Sequence, residues 1–269
     1  MDYLNAQIDQ IENGDTELRH RQVGDPDSIH DTRVAVRRFR STLRVFAKSF
    51  DGPKTADLDG ELKWFAGLLG EVRDCQVQRH RFNEALDRMP EELVLGPVRA
   101  RIRNELQAIE RPARACLNEA MESDRYQALL AVLGGWRDAP PVDQDIATKT
   151  LLKRARRTER KADRRLAAAL RPGDDAMLHR ARKAAKRARY AAELCKPVDK
   201  DAERTVKHYK QIQGLLGDHQ DTVVATKALR HMAVAAGTTL GENGFSYGML
   251  YAREQQIARQ CRENVLALV

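Results

Sequence analysis

Five side chains on one short stretch of this chain could hold an anion. In the segment His30-Asp-Thr-Arg-Val-Ala-Val-Arg-Arg-Phe-Arg-Ser-Thr-Leu-Arg-Val-Phe46, read on the helical period of 3.6, His30, Arg33, Arg37, Arg40 and Arg44 fall within an arc of roughly 80°. Phe39, Leu43, Phe46 and Phe50 lie on the opposite side. Such a helix offers an apolar ridge to a core and a cationic stripe to a partner. Arginine presents a planar fork of donors that matches phosphate oxygens, and lysine presents a mobile point charge. Imidazole donates too, more strongly when protonated at mildly acidic pH.

The stripe returns later in the chain. With His179 laid on His30, an offset of 149, Arg182 falls on Arg33, Lys186 on Arg37, Arg187 on Arg38 and Arg189 on Arg40. A second registration follows at an offset of 147: Lys63-Trp-Phe-Ala-Gly-Leu-Leu-Gly-x-x-x-Asp74 lies on Lys210-Gln-Ile-Gln-Gly-Leu-Leu-Gly-x-x-x-Asp221. Two nearly equal offsets in the same order indicate a duplicated pair of helices. Glycine in a helix interior costs up to about 1 kcal/mol relative to alanine. Gly67, Gly70, Gly214 and Gly217 are therefore expected either to admit a close backbone approach by a neighbouring helix or to relieve crowding. A further basic line, Lys153, Arg157, Arg160 and Arg164, is spaced i, i+4, i+7 and i+11.

Composition agrees with an anionic partner. Of a formal net charge of +8, residues 1–140 carry −3 and residues 141–269 carry +11, with 16 basic and 4 acidic side chains between Lys149 and Arg189. Nucleic acid, polyphosphate and an anionic lipid surface all fit at this level. The four cysteines stand far apart without a C-x-x-C pair, so neither a disulfide framework nor a zinc knuckle is expected. The first residues lack the basic start and apolar block of a secretory signal, and no apolar run is long enough to span a bilayer. A soluble, cytoplasmic protein is the expectation.

The elements that must position these residues are helices. Only 5% of residues are aromatic, and alternating β-branched runs are missing. Helices are expected over about 3–23, from a cap at Asp27 or Ser28 to the stop at Asp51-Gly52-Pro53, over 56–89, over 92–122 with breaks or kinks at Gly96-Pro97 and Pro112, and over 124–138 after Ser123. Ala139-Pro140-Pro141 is the strongest break. Helices over 146–170, from a cap at Asp174 or Asp175 to Lys196-Pro197, over 200–236 and over 245–267 follow. The fold expected is all-α: duplicated four-helix bundles, residues 1–140 and 141–269, related by a pseudo-two-fold axis.

The motif H-x-x-R-x-x-x-R-R-x-R, followed by the Lys/Gly-Leu-Leu-Gly/Asp helix and occurring twice, resembles the CHAD family, the conserved histidine α-helical domain. The resemblance covers essentially the whole chain and suggests the stand-alone form. It implies two four-helix repeats around a basic central channel that binds inorganic polyphosphate, and a place at polyphosphate granules. Two positions depart from the pattern: Glu193 stands where the first stripe has Arg44, and Phe39 and Ala188 stand where leucine is common.

Polyphosphate has no base edges to read, so spaced cations must recognise it, as they do a nucleic-acid backbone. The expected ligands are Arg33, Arg37, Arg40 and Arg44 from the first repeat and Arg182, Lys186 and Arg189 from the second, with Lys63, Lys207 and Lys210 from neighbouring helices and the line Lys153, Arg157, Arg160 and Arg164. Arg38 and Arg187 are rotated off the stripe and enter only because they match the family motif. His30 and His179 are expected to contact phosphate or to support the structure. As metal ligands they lack an H-x-x-x-H partner or a nearby carboxylate cluster. Asp74 and Asp221 are candidates to orient neighbouring Arg or Lys side chains. No nucleotide loop, nucleophile elbow or zinc-protease motif occurs, so no catalytic residue, metal or cofactor is expected. The alternatives are a nucleic-acid binder, against which the scarcity of aromatics on the motif helices counts, and a metal-dependent enzyme acting on phosphoanhydrides.

Overall fold

The structure, a computed structural model, describes residues 1–20, 26–142, 147–170 and 174–268. These residues form nine α-helices and two short 3-10 helices, with no strand among them. The α-helices are α1 Asp2–His20, α2 Pro26–Val45, α3 Gly52–Asp87, α4 Val98–Glu122, α5 Asp124–Asp138, α6 Thr148–Leu170, α7 Asp175–Cys195, α8 Ala202–Ala236 and α9 Phe245–Leu266. Among the described residues no helix is long and apolar enough to cross a membrane.

Local chemistry explains most of the boundaries. Ser123 caps α5 by accepting from the Tyr126 amide. Asp174 caps α7 by accepting from the Ala176 amide at 2.9 Å. Gly96, at φ 79°, makes the left-handed turn before α4, a conformation open to glycine at little cost. Three expectations need correction. Asp27 and Ser28 lie inside α2, which opens at Pro26, and Ser28 donates to Glu17 on α1 instead of capping. Gly52-Pro53 opens α3, because proline is tolerated in a first turn whose amides have no helical acceptor. Pro112 lies within an α4 that continues to Glu122. The expected turns at Gly24-Asp25 and Arg171-Pro172-Gly173 lie outside the described residues.

Packing gathers the chain into two compact units. Unit one comprises Met1–Asp74, Glu110–Glu159 and Arg187–Val206; unit two comprises Cys75–Ile109, Arg160–Lys186 and Lys207–Val269. Each draws on both halves of the sequence, and α3, α4, α6, α7 and α8 each supply residues to both units. These units are defined by packing, whereas the repeat division at 140/141 is defined by sequence.

The core of unit one is built on the apolar ridge of α2 and on Phe46 and Phe50, which flank the 3-10 turn Ala47–Ser49 beyond its end. Phe39, Leu43, Phe46 and Phe50 are buried, and Trp136 of α5 stacks at 5.6 Å from Phe39 and 5.7 Å from Phe50. Ile8 and Ile11 of α1 and Leu62, Phe65 and Leu69 of α3 complete it, with Tyr126 at 4.8 Å from Phe65. Each such side chain contributes roughly 1.5–3 kcal/mol by leaving water. Unit two packs Phe82 and Leu86, Val98 and Ile102, Leu229 and Met232, and Tyr247 and Leu250 from α3, α4, α8 and α9. Its buried ion pair joins Arg81 of α3 to Glu254 of α9, with Arg81 Nε donating at 2.7 Å to a carboxylate that is 1% exposed.

The helix bearing the first motif is set by a close approach. Thr32 of α2 is fully buried and donates to the Ser28 carbonyl at 2.7 Å. A Cβ on Gly14 of α1 would overlap its hydroxyl oxygen. Gly14→Ala therefore forces α1 from α2 and is expected to destabilise the protein by about 1–3 kcal/mol, read as a lower urea midpoint. The double variant Gly14→Ala/Thr32→Ala should recover part of the loss.

Candidate functional site

In unit one the cations of α2 meet one face of α3. Asp59, Lys63, Gly67, Gly70 and Asp74 lie within roughly 80° of one another on that helix. Arg40 Nε donates to Asp59 Oδ1 at 3.0 Å, and Arg44 Nη2 to Asp59 Oδ2 at 2.7 Å. At the other end, Arg33 Nη1 donates to Asp74 Oδ1 at 3.1 Å. The two helices therefore run antiparallel along the stripe. Arg37 is half-buried, and His30 and Lys63 are exposed. No acid on α2 itself announced these pairings, because the carboxylates arrive from the next helix.

Arginine side chains lie against two of the four motif glycines, tightly enough at Gly70 to crowd a methyl group. A Cβ on Gly70 would stand 3.1 Å from Arg33 Nη2, and one on Gly217 would stand 3.5 Å from Arg182 Nη2. The same seat thus occurs at equivalent places in both repeats, in unit one and in unit two. What approaches each glycine is a guanidinium and not the expected helix backbone. Gly67 and Gly214 face open space.

In unit two the second motif begins with His179 and Arg182. His179 Nδ1 and Arg182 Nε are buried without a hydrogen-bond partner among the described residues. Burial lowers the His179 pKa below the ordinary range; Lys183, Arg182 and Lys186 lower it further, against a hydrogen bond with Gln220. His30 in unit one is lowered in the same way, by partial burial of its ring and then by Arg73 and Arg37, against Asp31 and Asp27. Lys186 is half-buried, while Lys207 and Lys210 on α8 are exposed.

The start of α7 is tied down by a histidine that sequence reasoning missed. Buried His219 of α8 accepts at Nε2 from Arg262 Nε of α9 at 2.9 Å, and Arg262 Nη2 donates to Asp175 of α7 at 2.8 Å. An imidazole that accepts in this way is neutral. Burial, then Arg262, holds its pKa down, against Asp175.

The rest of the second stripe belongs to unit one. Arg189 Nε donates to Glu193 Oε1 at 2.8 Å, and Arg38 Nε of α2 donates to Glu193 Oε2 at 3.0 Å. Tyr3 of α1 also donates to Glu193, at 3.2 Å. Arg38 and Arg189 lie 5.8 Å and 5.3 Å from the centre of the buried Tyr190 ring. Arg187 is half-buried. On α6, Lys153 and Arg157 are exposed within unit one, and Arg160 and Arg164 are exposed within unit two.

Asp59, Tyr3 and Tyr190 are contacts that sequence reasoning did not find. Asp59 had a signal, since it lies one helical turn before Lys63 on the motif line of α3. Tyr3 had none. Among the described residues no three His, Cys, Asp or Glu side chains gather into a group that could hold a metal ion.

The three depressed histidines make stability depend on pH. Well above about pH 6.5 they are neutral in both states and contribute no slope. Below it the unfolded chain takes up protons that folded His30, His179 and His219 resist, so stability falls as the pH falls. Urea unfolding between about pH 7.5 and 5.5 should show this decline, and His219→Gln should make it shallower.

Known proteins agree with this architecture. The CHAD domain family model matches residues 2–230. Two uncharacterized proteins of Mycobacterium tuberculosis, MT2285 and Rv2226, are each 35% identical over 257 residues, covering 90% of this chain and 47% of theirs. The chain thus spans about half the length of these curated relatives. Among solved structures, PptA from Streptomyces chartreusis superposes with a TM-score of 0.82 at 22% identity, over 99% of this chain and 96% of that one. The CHAD domain from the plant Ricinus communis gives 0.71 at 27% identity, over 97% and 89%. With its duplicated histidine-arginine motif, its all-helical fold and these matches, the chain belongs to the CHAD domain family.

Proposed function

We propose that this protein binds inorganic polyphosphate, without chemically altering it, through the cationic lines of its two repeats. The observation that carries the reading is the repeated seat of the motif's first arginine, Arg33 on Gly70 and Arg182 on Gly217. It sets a cation-bearing helix against a lysine-bearing one twice. The buried, unpartnered nitrogens of His179 and Arg182 support it as well. Leaving a buried donor such as Arg182 Nε–H unsatisfied costs about 1–3 kcal/mol, which an arriving phosphate oxygen would relieve. Polyphosphate carries a negative charge on every internal phosphate, and a helix offers a cation every turn, about 5.4 Å. The two-fold relation between the repeats and the basic channel implied by the family resemblance belong to the same proposal, as does a place at polyphosphate granules.

Binding should weaken steeply as salt rises, because condensed counterions are released. Charge reversal at Arg37 together with Lys186 should reduce polyphosphate affinity at least about tenfold, the order expected when several phosphate contacts are lost, and leave helical circular dichroism intact. Full affinity in that double variant rejects the reading. A competition at physiological salt should show long-chain polyphosphate displacing duplex DNA and single-stranded RNA. The reverse order favours a nucleic-acid ligand, and orthophosphate release with magnesium or manganese favours a phosphoanhydride-cleaving enzyme.

A further inference from the structure

One turn beyond the duplicated motif the two stripes part, and charge fills both places. By the offset of 149, Arg40 corresponds to Arg189 and Arg44 to Glu193; by the offset of 147, Asp59 corresponds to Val206. The first repeat therefore has an arginine on the stripe and a carboxylate on the next helix. The second has a carboxylate on the stripe and an apolar residue on the next helix. Both arrangements end alike, with one carboxylate between two guanidiniums. Asp59 holds Arg40 and Arg44, and Glu193 holds Arg38 and Arg189.

The Glu193 cluster is the more enclosed. Glu193 is 11% exposed and Arg189 13%, and the Tyr3 hydroxyl and the Tyr190 ring close on them. A carboxylate so placed satisfies the guanidinium donors that a phosphate oxygen would otherwise take.

We infer that Glu193 and Asp59 are internal counter-anions: each occupies two of the arginines assigned to the polyanion, so that a polyanion must compete with a carboxylate of the protein before those arginines can join its binding. This inference rests on the polyphosphate reading above. It makes the two carboxylates determinants of selectivity. A ligand of few charges gains too little to displace them, whereas a long chain, held elsewhere along the stripes, presents a high local concentration of phosphate to each.

The test is Glu193→Gln, with Glu203→Gln as control. Glu203 is exposed and pairs with Lys196 at 2.7 Å, so its substitution changes the net charge equally without touching a motif arginine. Binding of long-chain polyphosphate and of tripolyphosphate is measured by titration across a salt series. Glu193→Gln should tighten binding at least about threefold beyond the control and steepen the slope of log affinity against log salt. The steepening is about 0.7 for each arginine that joins, by analogy with single-stranded nucleic acids. Its preference for the long chain over tripolyphosphate should narrow. Asp59→Asn tests the same idea from the first repeat and serves if Glu193→Gln fails to fold. Unchanged affinity and slope in the folded variant, or weaker binding, overturns the inference while a wild-type protein that binds polyphosphate keeps the parent reading. A wild-type protein that binds no polyphosphate overturns the parent reading itself.

Discussion

Guanidiniums stacked one helical turn apart repel one another, by about 3 kcal/mol per neighbouring pair at an effective dielectric of about 20. The motif helices are organised around that repulsion. Asp59 closes on Arg40 and Arg44, Glu193 on Arg38 and Arg189, and Asp74 on Arg33. These pairs differ in kind. Arg44 is 43% exposed, so its contact with Asp59 is screened by water and worth little alone. The Glu193–Arg189 pair is largely withdrawn from solvent, where desolvation is costly and an unpaired partner costlier still.

The glycines of the motif serve the same arrangement. A helix pays for each interior glycine, and here Gly70 gives the Arg33 guanidinium room that a methyl group 3.1 Å from Nη2 would crowd. Arg182 lies against Gly217 at the equivalent place, where a methyl group would meet Nη2 at 3.5 Å, an ordinary contact. Gly14 does comparable work for the helix as a whole, letting Thr32 sit directly against α1. Backbone position and side-chain position are thus set by different glycines on different helices.

In unit two the motif is held from behind by α9. Glu254 takes Arg81, and Arg262 links His219 to Asp175 at the start of α7. Both α9 residues lie beyond residue 230, where the family match ends. The support for the second motif therefore comes partly from a segment that the family pattern does not describe.

Much of this was legible in the sequence. The 3.6 period separated the ridge of Phe39, Leu43 and Phe46 from the arginine stripe, and burial follows it residue by residue, because a helix has one way to face a core. Ser123 and Asp174 capped where their side chains could reach a free amide. The repeat was visible because both copies keep the same residues at the same spacing. Tertiary structure alone decided which acids meet bases of another helix. Arg189 and Glu193 pair at i,i+4 within α7, but a carboxylate on another helix leaves no periodic trace on the stripe it neutralises, so Asp59 went unseen and the bond from Arg38 to Glu193 could not be read. Periodicity is local, and charge pairing across helices is not.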